Sequence, residues 1–81
     1  MSERRILKGR LFELDARIRD LETRMRMACE RLGVSVNPLI HELDDMPVAE
    51  AATVMDDLVM LQAELLAARG KSAAIKRELY G

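Results

Sequence analysis

The sequence predicts an all-α protein: an antiparallel two-helix hairpin with coiled-coil character. Three observations carry this. Leu7, Leu11, Leu14, Ile18, Leu21, Met25, Ala28 and Leu32 recur at alternating intervals of four and three, the spacing of a coiled-coil seam. A second ladder with the same alternation runs through Ala51, Val54, Leu58, Leu61, Leu65, Ala68, Ser72, Ile75 and Leu79. Between the ladders, Gly33, Pro38 and Pro47 punctuate a connector.

Composition agrees. Hydrophobic residues make up 49% of the chain and charged residues 33%, yet there is one Phe, one Tyr and no Trp. That balance belongs to long helices, whereas a β-fold of this size draws on more aromatic and β-branched residues. A chain of 81 residues forms one domain with a thin core. The single cysteine, Cys29, excludes an internal disulfide and points to a reducing compartment. One Cys and one His do not make a zinc site, so neither metal nor cofactor is expected. The start, MSERRILKGR, lacks a signal-peptide core, and no apolar run approaches the roughly 20 residues of a membrane span. A soluble cytoplasmic protein is therefore expected. A net charge of −1 gives no global attraction to nucleic acid or membrane.

The first helix is predicted over residues 2–32. Ser2 supplies an N-cap, and Gly33 stands where a left-handed C-cap belongs. Gly9 predicts fraying of the opening turns. The connector covers 33–46, with Val34-Ser35-Val36 extended. Asn37 followed by Pro38 predicts a short helical turn over 38–43, whose Leu39, Ile40 and Leu43 would plug the end of a bundle. Asp44-Asp45-Met46-Pro47 is the next start signal, with an Asp capping and Pro47 in the first turn. The second helix is predicted over 46–79, with a bend allowed at Gly70. Equal helix lengths and a connector of this size make an antiparallel hairpin that pairs residues whose numbers sum to about 80. Leu32 then falls near Val48, Met25 near Met55, Ile18 near Leu61 or Gln62, Leu11 near Ala68 and Leu7 near Ser72.

Two helices bury one stripe each, but the second helix carries a further stripe of Ala52, Met55, Val59, Leu66 and Ala73. The first has Ile6, Phe12 and Met27 outside its seam. Such a surplus marks an interaction surface. Its simplest remedy is a homodimer of two hairpins forming a four-helix bundle. A different protein covering the strip is the competing reading. The residues assigned to core and oligomer interface are Leu7, Leu11, Leu14, Ile18, Leu21, Met25, Leu32, Val54, Met55, Leu58, Leu61, Leu65, Ile75 and Leu79.

Charge is unevenly distributed. Arg4, Arg5, Lys8 and Arg10 face only Glu3 in residues 1–10, and Arg69, Lys71, Lys76 and Arg77 face only Glu78 in 69–81. Residues 34–64 contain Glu42, Asp44, Asp45, Glu50, Asp56, Asp57 and Glu64 and no Lys or Arg. The hairpin thus has a basic open end and an acidic closed end. Helix dipoles explain the acids opening the second helix and the bases closing it, but not the basic start of the first. Two readings remain: an antiparallel dimer setting each basic end against the partner's acidic turn, or phosphate binding.

No motif rises to chemistry. Asp56 and Asp57 point about 100° apart on a helix and read as a solvated face. His41 beside Glu42 has no nucleophile near it in sequence and reads as a loop histidine. Cys29 has Arg26 one turn earlier but reads as an inert, half-buried thiol. Met25, Met27, Met46, Met55 and Met60 could line an adaptable binding face, though core filling accounts for them more simply. Phosphate loops and hydrolase or metalloprotease motifs are absent, and no aromatic residues interleave with the bases.

Leu11-x-x-Leu14-Asp15-x-x-Ile18 and Arg24-Met25 resemble the first helix of chorismate-mutase-like helical dimers. That likeness would imply an enzyme whose inward Arg, Lys, Glu and Gln hold a dicarboxylate. The first seam here is wholly apolar, and only Gln62 and Arg69 lie near the second, so the enzyme reading is rejected. In architecture the chain resembles Rop-like hairpin dimers, which bind RNA. Ile18, Leu21, Arg24-Met25-Arg26, Leu43-Asp44, Ala51-Ala52, Met55-Asp56-Asp57-Leu58, Leu61, Ile75 and Leu79-Tyr80-Gly81 resemble the short helical-hairpin proteins of Mu-like prophages. The ladders, the surplus apolar face and the charge layout point to a non-enzymatic hairpin protein that dimerises through the two ladders as an assembly or regulatory interaction module. The alternative reading is a small nucleic-acid-binding regulator whose basic open end, Arg4, Arg5, Lys8, Arg10, Lys71, Lys76 and Arg77, contacts phosphates.

Overall fold

The structure, a computed structural model, describes residues 2–81. It is a helical hairpin measuring 62 × 19 × 15 Å. Helix α1 spans Glu3–Ser35 and helix α2 spans Val48–Tyr80, 33 residues each. The two pack along their whole lengths.

Both ladders meet in a single seam. Leu21 is completely buried, and Val54, Leu65, Ala68, Leu79, Ala51 and Ala28 are nearly so. Leu21, Leu65 and Ala68 form the centre, with Leu14, Ile18, Met25 and Leu61 packed against it. The remaining seam residues are half-buried, because each helix has one neighbour and the rims of the stripe stay open to water. Ser72 is the one polar member of the α2 ladder. It is 4% exposed, and its hydroxyl donates to Asp15 Oδ1 at 3.3 Å. That bond satisfies a group whose burial would otherwise be costly.

The ends differ from the sequence prediction in instructive ways. Ser2 does cap α1, its side-chain oxygen accepting from the Arg4 N–H at 3.2 Å. At the other end α1 runs through Gly33 to Ser35 rather than stopping at Leu32, so Val34 and Ser35 are helical, not extended. Gly33 has no positive φ. The added turn survives because its carbonyls find partners. Val36 N–H donates to Leu32 O, and Asn37 N–H to Val34 O. The half-buried His41 places Nε2 3.0 Å from the same Val34 carbonyl. That geometry requires the proton on Nε2 and ties the connector back onto the helix end.

The helical turn predicted for 38–43 does not form as such. Asn37 caps as expected, Oδ1 accepting from Leu39 N–H at 2.9 Å, and the N–H groups of Ile40 and His41 reach the Asn37 carbonyl. The chain then bends at His41, and a separate turn follows, closed by Asp45 N–H on Glu42 O. One helical turn needs a buried face to persist. Leu39, Leu43 and Ile40 are 93%, 78% and 57% exposed and plug nothing. Helix α2 begins at Val48, not Met46. Pro47 occupies the N-cap position, and no side chain caps the end, so Asp44 and Asp45 do not serve there. Helix α2 passes Gly70 unbroken to Tyr80.

These shifts move the register. The connector is centred later in sequence than predicted, so α1 meets residues further along α2. Ser72 bonds Asp15 instead of lying by Leu7, and Leu21 packs on Leu65 and Ala68.

The helical state of Gly33 carries a clear expectation. A Cβ there meets nothing within 4 Å. Gly33→Ala should therefore stabilise the protein, by up to about 1 kcal/mol in urea denaturation, since alanine is the better helix former. A left-handed cap glycine would give a loss instead.

Candidate functional site

In a coiled-coil helix, two columns flank the seam and three face away from it. The flanking columns of this hairpin are ionic. Arg10, Arg17, Arg24 and Arg31 recur every seven residues along one edge of α1, and Glu50, Asp57, Glu64 and Lys71 along the facing edge of α2. Arg31 reaches Glu50 at 3.8 Å and Arg17 reaches Glu64 at 3.4 Å. Arg24 turns instead to Asp20 on its own helix at 3.1 Å. On the opposite edge, Glu22 receives Arg69 at 3.3 Å and Arg26 at 3.8 Å. All these groups are substantially exposed except Glu22, so each pair contributes little to stability; their main effect is to fix register.

The cross-helix ladder breaks at Arg10 and Lys71. Both are cations, and they rim an open groove floored by Leu14, Ala74 and Ile75. This lies within the basic open end. Among the described residues, Arg5, Lys8, Arg10, Lys71, Lys76 and Arg77 make no ion pair. Arg4 is engaged: its Nη1 donates to the Leu79 carbonyl at 3.2 Å, and its guanidinium lies 5.9 Å from the Tyr80 ring centroid. At the closed end, Glu42, Asp44, Asp45, Asp56 and Asp57 are likewise without ion-pair partners among the described residues.

Of the residues assigned from sequence to core and oligomer interface, all but Met55 line the intrachain seam. Met55 is 49% exposed and stands on its rim. A shallow depression there joins Met55 to Met25, Cys29, Leu58, Val59 and Gln62. Cys29 is exposed rather than half-buried. The methionines therefore divide between seam and surface, with Met27 60% and Met60 67% exposed.

Apolar side chains are also left over at the closed end, where Leu39, Leu43 and Val48 are exposed, and along the outer face of α2. Val59, Met60 and Leu66 are 62%, 67% and 62% exposed. Between them and just beyond lie Ala63, Ala67, Gly70, Ala73 and Ala74, all exposed. From Val59 to Ala74 the outer three columns contain no polar side chain; Glu64, Arg69 and Lys71 all sit in the columns beside the seam. The sequence prediction found only part of this face: Val59, Leu66 and Ala73 fell in the second stripe, and Met60, Ala63, Ala67, Gly70 and Ala74 did not. The available signal was the absence of charge from three adjacent columns, which a search for large apolar residues passes over when most of the positions are alanine. The outer face of α1 is different, with Glu13, Arg19, Asp20, Arg26 and Glu30 interrupting Phe12 and Met27.

No helix among the described residues is long and apolar enough to cross a membrane. Compared with family models, curated proteins and solved structures, the chain matches none.

The broken rung gives a test of the flanking ladder. Lys71→Glu would place a carboxylate opposite Arg10 and complete the repeat set by Glu50 and Glu64. Its melting temperature should rise slightly at low salt, equivalent to a few tenths of a kcal/mol, and the gain should fade at high salt.

Proposed function

We propose that this chain is a non-enzymatic interaction module: a helical hairpin that self-associates and serves assembly or regulation in the cytoplasm. The observation that carries this reading is the contrast between a satisfied seam and a bare outer surface on α2. The seam ladders meet each other within one chain, so they ask for no partner. Among the described residues nothing packs on the face from Val59 to Ala74, and no polar side chain holds it in water. Its coverage by a second hairpin would give a four-helix assembly. The resemblance to prophage hairpin proteins is consistent with a small assembly component.

A second reading rests on a separate observation, the cluster of basic side chains without ion-pair partners at the open end. Arg5, Lys8, Arg10, Lys71, Lys76 and Arg77 would contact phosphates, and Arg4 would do so if released from Leu79 and Tyr80. This reading has no stacking platform beyond Tyr80.

Each reading has its own test, and the first is sedimentation equilibrium at micromolar concentration. Self-association predicts about twice the 9.2 kDa chain mass. A folded monomer across that range would rule it out. For the second reading, binding of short RNA or DNA duplexes should fall steeply between 50 and 200 mM salt on the order of counterion release. No binding at the lowest salt would end it.

A further inference from the structure

We infer that the outer face of α2 is a two-fold interface, on which a second copy of the chain docks antiparallel, α2 against α2. The inference rests on the self-association proposed above and specifies the surface, the direction and the register.

The outermost column of α2 reads Asp56, Ala63, Gly70 and Arg77, spaced every seven residues. It is self-complementary when reversed. Laid against a second copy running the other way, Asp56 meets Arg77, Ala63 meets Gly70, and the same pairs repeat across the two-fold axis. Among the described residues, neither Asp56 nor Arg77 makes an ion pair. A two-fold interface requires this property, in which residue i meets residue j and j meets i.

The columns on either side follow the same register. On one side Val59 falls opposite Ala73, and Leu66 opposite Leu66 of the second copy. On the other, Met60 falls opposite Ala74, and Ala67 opposite its own counterpart. The two larger side chains in the first half of the face thus meet the two alanines in the second half, the alternation that lets facing helix surfaces interdigitate. At the centre, Ala63, Ala67 and Gly70 permit close approach of the backbones. A Cβ at Gly70 would meet nothing within 4 Å in the single chain, so this glycine is not required by the hairpin's own packing.

The reverse direction fails on the same residues. A parallel pair sets Asp56 against Asp56 and Arg77 against Arg77, and brings Val59 against Met60 of the second copy while leaving Ala73 facing Ala74. Helix dipoles also favour the antiparallel pair. From Val59 to Ala74 the face is about 24 Å long at 1.5 Å per residue. The assembly is then a row, α1–α2–α2–α1, rather than a square bundle. Both edges of α1 carry charge and leave it no second apolar stripe.

The test uses the full chain in four variants, read by sedimentation equilibrium at low salt with helicity checked by circular dichroism. Asp56→Arg and Arg77→Asp should each raise the dissociation constant about tenfold or more, because symmetry turns both ion pairs repulsive. The double variant should return to near the parent value. Failure of the double variant to recover overturns the register. Ala67→Glu should abolish dimers with helicity unchanged, since position 67 is exposed and off the seam. A dimer that survives Ala67→Glu overturns this face while leaving self-association intact. A monomeric parent protein overturns both. As an independent check, Ala67→Cys in a Cys29→Ser background should oxidise to a disulfide-linked dimer, and absence of that product from a dimeric sample also overturns the face.

Discussion

Each helix of this protein has one neighbour in the chain, and every other feature follows from that constraint. With a single contact a helix can bury only one stripe, so the core reduces to the line where two ladders interlock. Leu21 alone is wholly shielded, and it sits near the middle of α1 where contact from both directions is complete. Elsewhere along the seam buried residues such as Val54 and Leu79 alternate with half-buried ones such as Leu7, Ile18 and Ile75. A core this narrow has no redundancy. Truncating a buried leucine in such a position costs about 2–5 kcal/mol, a large share of what a small domain has.

The seam was legible in the sequence almost residue by residue, because alternation of four and three has one structural meaning. Even Ser72, a polar residue in an apolar ladder, was put on the seam by period alone, though beside Leu7 rather than Asp15. What the sequence could not resolve were the helix ends. Gly33 reads as a stop, but a stop is decided by whether the next carbonyls find donors. Those donors, the Asn37 amide and the His41 ring, come from later in the chain. Asn37-Pro38 reads as a helix start, and the cap hydrogen bond does form. The helix it would open has no surface to lie on. Local signals therefore placed the Ser2 and Asn37 caps correctly, misplaced the cap of α2 and missed the helix extents.

The candidate surface was legible only in part for a related reason. Hydrophobic periodicity detects large side chains, and the outer face of α2 is built mostly from alanine and glycine with three larger residues among them. Its identity lies in what is missing, charge across three adjacent columns. The neighbouring ionic columns conceal it in a linear reading, since Glu64, Arg69 and Lys71 interrupt the string without interrupting the face. On α1 the corresponding columns carry charges throughout, so the two helices have unequal roles: one closes the seam, the other also offers a surface.

The uneven placement of charge has a consequence beyond any single contact. In an antiparallel pair the two helix dipoles point oppositely and largely cancel. The side chains do not cancel, with unpaired acids gathered toward the connector and unpaired bases toward the termini. A molecule of net charge −1 and length 62 Å is thus nearly neutral as a whole yet strongly polar from end to end. Two such rods exert torque on each other before they touch, and they turn head to tail at distances up to the Debye length, about 8 Å in physiological salt. Between any two such rods the field of the whole rod acts on orientation before surfaces come into contact.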